Sequence, residues 1–124
     1  MSSAFENAIE ARAPRYAEVA VPVHVARTFI YRLKEWMRND AQVGSRILVP
    51  LGRSAVTGYI VGLHETLNAD ENLNEADLKD AENILDVTPI CTPEVLEITR
   101  WVSDYYGSPW GEVIKAALPP GISP

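Results

Sequence analysis

The chain has 124 residues, 47% of them apolar, with a formal net charge of −6, one cysteine and two histidines. That length and composition suit one small domain with its own core and favour a globular fold over a disordered chain. No apolar run approaches the roughly 18 residues that span a bilayer, and Met1-Ser2-Ser3-Ala4-Phe5-Glu6 lacks the basic leader and apolar stretch of a signal peptide.

Residues 1–15 read as a flexible extension closed by Pro14, with Phe5 and Ile9 four apart as the one hint of a short helix. From Tyr16 the period becomes two. Val19, Val21, Val23 and Val25 fall on one face, and Glu18, Ala20, Pro22 and His24 on the other, which is the pattern of a half-buried strand with an edge or bulge at Pro22. Further strands are expected over Thr28–Leu33, over Arg46–Leu51 after the turn residue Gly44, and over Val56–His64, where Gly58 and Gly62 permit strong curvature. Residues 65–83 form an acidic connector with one helical turn near Glu75–Lys79, and Ile84–Val87 return as a last short strand.

The C-terminal third is helical. Thr92 is placed to cap a helix with Pro93 at its first position and Glu94 against its dipole, and Gly107 ends it. Val95, Ile98, Val102 and Tyr105, widened by Leu96 and Trp101, mark the stripe expected to face the core. A second helix runs from Trp110 to Leu118 before Pro119-Pro120. The fold class is therefore α+β: a small curled antiparallel sheet or partial barrel over 16–90, with two short helices over 92–118 packed on it. The domain is expected to occupy 16–121, leaving 122–124 as a tail.

An acidic chain argues against a nucleic-acid binder, but the charge is divided. Residues 27–53 carry Arg27, Arg32, Lys34, Arg38, Arg46 and Arg53 against Glu35 and Asp40, a net of +4, whereas residues 65–97 carry ten acids against Lys79, a net of −9. The basic stretch reads either as a patch able to hold a few phosphates or as ordinary solvated strand residues.

Nothing in the chain assembles into a catalytic set. His24 and His64 have no partner at metal-ligand spacing, and Cys91 alone allows neither an intrachain disulfide nor a cysteine-cluster metal site. Cys91 reads as a small buried residue in a reduced, cytoplasmic setting. Asp104 has no second acid or histidine at a suitable distance, and no Gly-x-x-x-x-Gly-Lys-Ser/Thr phosphate loop occurs. No enzymatic activity and no cofactor are expected of this chain.

Four stretches carry a resemblance: Arg27-Thr28-Phe29-Ile30-Tyr31, Val43–Gly52 with its Val49-Pro50-Leu51-Gly52 end, Gly58–Leu63, and the tail Trp101–Glu112 with its Trp-x-x-Asp-Tyr-Tyr helix. Over about residues 16–121 the chain resembles the N-terminal DNA-binding domain of the PriA family of primosomal replication-restart helicases. The resemblance implies recognition of the 3′ end of the nascent leading strand at stalled forks. Implied partners are single-stranded 3′ ends and forked DNA, and also other primosome proteins and single-strand-binding protein; no membrane is involved. The family's ATP-dependent motor and its zinc-binding cysteine cluster have no counterpart here, and the ending Leu118–Pro124 favours an excised domain.

Carried over residue by residue, the resemblance implies a 3′-end pocket of Phe29, Ile30, Tyr31, Gly52 and Lys79, with Arg27, Arg46 and Arg53 as phosphate contacts. An aromatic face stacks on any base, a glycine admits close backbone approach, and a lysine neutralises a phosphate. The family has an aspartate where this chain has Ile30, and an isoleucine accepts no hydrogen bond. A plainer reading places one of Phe29 and Tyr31 in the core and the other outside and gives Gly52 a turn role only; the Trp101–Tyr106 aromatics are assigned to the core and not to binding. The alternative function is a degenerate small-barrel protein-interaction module that contacts restart partners or the helicase core. Convergence of Arg27, Arg46, Arg53 and Lys79 beside Phe29 favours DNA; dispersal favours protein contact.

Overall fold

A computed structural model describes residues 13–25, 27–67 and 74–119. The expected N-terminal extension before residue 13, part of the acidic connector and the 122–124 tail lie outside the described residues. Five strands, β1 (Tyr16–Ala20), β2 (Phe29–Arg32), β3 (Arg46–Leu51), β4 (Ser54–His64) and β5 (Asn83–Ile84), form one antiparallel sheet in the order β2-β1-β4-β3-β5. Short 3₁₀ turns occupy Glu35–Met37 and Glu75–Asp77.

The β3–β4 hairpin is tight: Leu51 pairs with Ser54, leaving Gly52 and Arg53 as the whole turn. Gly52 has φ of 62°, which an L side chain adopts only with strain and which primed two-residue turns require. β1 is shorter than its alternation implied. It stops at Ala20, since Pro22 cannot donate to a ladder, and its register against β4 shifts between Glu18 and Val19, upstream of the proline.

The sheet buries residues on both faces. Ala17, Val19, Tyr31, Leu33, Met37, Ile47, Val49 and Ile60 form the inner core, while Ala20 and Tyr59 turn outward to meet Cys91, Leu96 and Ile114 beneath the helices. Segment 79–85 draws the sheet's edges together. Lys79 carbonyl accepts from the Arg32 amide (2.9 Å) and Ala81 donates back to Arg32 (2.9 Å); Glu82 and Leu85 then donate to Leu48 and Arg46 of β3. The sheet curls without closing into a continuous barrel.

Helix α1 (Pro93–Tyr106) begins and ends where its caps indicated, and α2 (Trp110–Ala117) starts as expected and ends one residue before Leu118. Thr92 Oγ1 accepts from Val95 N (3.2 Å), and Gly107 ends α1 in the left-handed conformation. The buried face of α1 differs from the expected stripe. Leu96 and Thr99 are buried, while Ile98, Trp101, Tyr105 and Tyr106 face outward, Trp101 and Tyr105 at 61% and 68% exposure. The cause is α2. Trp110 Nε1 donates to Thr99 Oγ1 (3.0 Å), Thr99 hydroxyl bonds back to the Val95 carbonyl (2.7 Å), and Ser103 Oγ donates to the Ser108 carbonyl, so α1 is turned to meet α2. The outward rings satisfy each other, Trp101 stacking on Tyr105 with centroids 5.1 Å apart.

Candidate nucleic-acid interface

Three separate parts of the chain meet at one end of the sheet. Arg27, Phe29, Ile30 and Tyr31 come from β2 and its approach, Pro50, Leu51 and Gly52 from the end of β3, and Asp77, Leu78 and Lys79 from the connector. Together they line an open cleft of about 270 Å³. That is at the small end for ligand pockets, which run from roughly 300 Å³ upward, and it suits one nucleoside rather than a duplex.

The cleft's base is built by Tyr31. Its ring is buried, and its hydroxyl donates to the Pro50 carbonyl (2.8 Å), tying β2 to the end of β3. Burial pushes the Tyr31 hydroxyl pKa up, so it remains a donor. Phe29 is half-buried against the same inner core, with the Arg27 guanidinium 4.6 Å from its ring centroid. Phe29 and Tyr31 thus share a face and do not divide between core and surface, because residues two apart in a strand project to the same side. Gly52 sits at the hairpin corner with open space where a Cβ would stand.

The third wall depends on Arg32. Its Nε donates to Asp80 Oδ1 (2.5 Å), Nη1 to the Glu75 carbonyl (2.8 Å) and Nη2 to the Leu78 carbonyl (3.1 Å). With the two backbone bonds already described, one arginine braces the whole 75–80 segment, and so places Asp77 and Lys79 at the cleft. Sequence reasoning counted Arg32 only as a charge; its partners lie 43 to 48 residues away, so no local pattern marks it.

Six of the eight residues named from sequence line the cleft: Phe29, Ile30, Tyr31, Gly52, Lys79 and Arg27. Two do not. Arg46 is held by Asp86, with Nε to Oδ2 at 3.0 Å, Nη2 to Oδ1 at 2.9 Å and the Arg46 amide to Oδ2 at 2.9 Å. These bonds hold the Asp86 carboxyl below its usual range, against the opposing effect of burial, and raise the Arg46 guanidinium. Arg53 is exposed at the hairpin turn, outside the cleft's lining.

The charge split seen in sequence is thus partly internal. Asp80 and Asp86 of the acidic segment neutralise Arg32 and Arg46 of the sheet, leaving Arg27 and Lys79 as the cations at the cleft. Sequence reasoning missed Pro50, Leu51, Asp77 and Leu78. Pro50 and Leu51 were legible from their place beside Gly52; Asp77 and Leu78 needed the fold. Arg27 also borders an adjoining hollow of about 170 Å³ lined by Thr28, Arg100, Ser103, Asp104 and Trp110 among others. Among the described residues, no group of three or more His, Cys, Asp or Glu side chains could hold a metal ion, and no helix is long and apolar enough to cross a membrane.

The chain is similar to known proteins over most of its described length. Residues 18–119 match the family described as the 3′ DNA-binding domain, PriA_3primeBD, so the matched region contains all three walls of the cleft. The replication restart protein PriA of Bacillus subtilis is 28% identical over 110 residues, covering 86% of this chain and 13% of that protein. Those of Buchnera aphidicola and Haemophilus influenzae are 28% and 30% identical, covering 82% and 85% of this chain and 13% and 14% of theirs. The chain therefore spans about an eighth of the length of these relatives. The resemblance read from the sequence motifs is that of the whole matched region, and the chain belongs to the PriA 3′ DNA-binding domain family.

Proposed function

We propose that the cleft takes the terminal nucleotide at the 3′ end of a DNA strand. Within a longer protein, the domain would direct a restart helicase to the nascent leading-strand end at a stalled fork in the bacterial cytoplasm. The observation that carries the reading is convergence of part of the expected set: Arg27 and Lys79 meet Phe29, Ile30, Tyr31 and Gly52, from three distant segments, in one cleft of single-nucleoside size, while Arg46 and Arg53 stand outside it.

Its chemistry is tolerant of base identity. Stacking on an aromatic or guanidinium plane and charge contacts to phosphate are available to any base, and both are present in the lining. The stacking surface is composite. Phe29 packs inward and carries Arg27 over its ring, so a base meets either the guanidinium plane or, once Arg27 swings to a phosphate, the ring itself. Lys79 supports a phosphate contact from the opposite wall.

The test is fluorescence anisotropy of this chain with a short single strand ending in a free 3′-hydroxyl, against the same strand 3′-phosphorylated. Preference for the hydroxyl is expected; equal binding to both strands would overturn end recognition. A second reading, contact with other restart proteins, with single-strand-binding protein or with the motor of a longer chain, draws on the outward Ile98, Trp101, Tyr105 and Tyr106 of α1. The two readings use opposite parts of the surface vocabulary, charge and cleft for one and an aromatic face for the other.

A further inference from the structure

The cleft contains one side chain that can only accept hydrogen bonds, the carboxylate of Asp77. Of the other polar side chains, Tyr31 is buried with its hydroxyl proton donated to Pro50, and Arg27 and Lys79 have no acceptor to offer. Among the described residues, no hydrogen bond or ion pair occupies the Asp77 carboxylate. Its backbone, in contrast, is firmly held. Asn74 Oδ1 accepts from Ala76 N (3.1 Å) at the start of the 3₁₀ turn, Asp77 N donates to the Asn74 carbonyl (2.9 Å), and Arg32 grips the carbonyls of Glu75 and Leu78 on either side. An unpartnered acceptor on a braced backbone, at the rim of a cleft with an apolar floor, is built for a donor that arrives from outside.

The end of a strand supplies such a donor. A free 3′-hydroxyl donates one hydrogen bond, whereas a 3′-phosphate or an internal phosphodiester at the same place brings negative charge. A carboxylate accepts the first and repels the others. Resting on the reading of the cleft as a 3′-end pocket, we propose that Asp77 selects the free 3′-hydroxyl, accepting its hydrogen bond and excluding a phosphate there. Ile30, across the lining, cannot do this. Lys79, two residues along, neutralises the phosphate on the strand's 5′ side, so one braced segment supplies both an acceptor for the end and a cation for the backbone.

The experiment measures anisotropy of the whole 124-residue chain with one single strand ending in a 3′-hydroxyl, in a 3′-hydrogen (dideoxy) or in a 3′-phosphate, for the unaltered protein, Asp77→Ala and Lys79→Gln. The unaltered protein should bind the dideoxy strand about tenfold more weakly than the hydroxyl strand, the low end for losing a hydrogen bond to a charged group, and the phosphorylated strand more weakly still. In Asp77→Ala the three strands should fall within about twofold of one another. Lys79→Gln should weaken all three and keep their ratios. If the unaltered protein prefers the hydroxyl and Asp77→Ala keeps that preference, the role of Asp77 is overturned and the end pocket stands. If the unaltered protein binds all three strands alike, the end pocket itself fails and the role of Asp77 falls with it.

Discussion

Arg46 and Arg32 sit in strands of one sheet, yet they do different work. Arg32 reaches two carbonyls and Asp80 and so shapes the cleft wall, while Arg46 is spent on Asp86 at the sheet's far edge. Side chains of Arg46 and Asp86 are only 20% and 10% exposed, so solvent screens the pair little. Asp86→Asn should therefore lower stability by about 2 kcal/mol at pH 7, the loss of hydrogen bonds to a charged acceptor. The pH dependence follows from the sign of the shift. Arg46 lowers the folded-state carboxyl below its ordinary value of 3.8, so the stabilisation is complete above 3.8 and lost as pH falls through the lower folded value. In urea titrations from pH 7 down to pH 2, the gap between the unaltered protein and Asp86→Asn should close only below about pH 4. DNA affinity of Asp86→Asn should stay unchanged, since neither partner lines the cleft.

At the scale of elements, the two helices reverse the ordinary relation between size and burial. Trp101 and Tyr105 are large and outward, while Gly111 of α2 is small and decisive. A Cβ on Gly111 would collide with the Val21 carbonyl and the Pro22 nitrogen, backbone atoms that cannot move aside. The glycine is the point where α2 rests directly on the chain leaving β1. Gly111→Ala should cost about 3 kcal/mol, as overpacking against rigid atoms does, whereas Trp101→Ala should change stability by no more than about 0.5 kcal/mol. Denaturant midpoints of the two variants check this. A large loss for Trp101→Ala would mean its ring is covered in the folded protein.

Across the whole molecule, an acidic protein with a net charge of −6 presents two cations at its cleft, since its own acids cover others. That number sets the salt response. For single strands the logarithm of affinity falls by about 0.7 per neutralised phosphate, so Arg27 and Lys79 together give a slope of about −1.4 and roughly a sevenfold loss between 50 and 200 mM salt. Had Arg46 and Arg53 joined them, the slope would be about −2.8 and the loss about fiftyfold. Anisotropy titrations at four salt concentrations separate the two. A modest slope with retained end preference is what a domain reading an end, rather than coating a strand, requires.

Local chemistry carried much of this from sequence. The Gly52 turn, the Thr92 cap with Pro93, the Gly107 stop and the bounds of β3 each depend on residues within a few positions, and each stands where the sequence placed it. The family motif also brought out Arg27, Phe29, Ile30, Tyr31, Gly52 and Lys79 before any geometry was known. What tertiary structure alone decided involves partners far apart in the chain. The outward turn of Trp101 and Tyr105 was set by Trp110 reaching Thr99, the removal of Arg46 from the site by Asp86, and the arrival of Asp77 at the cleft by Arg32 gripping a segment more than forty residues on. Periodicity reports which residues can share a face, and caps report where a helix can end. Which face is covered, and which charge is already spent, is settled only when distant segments compete for the same surface.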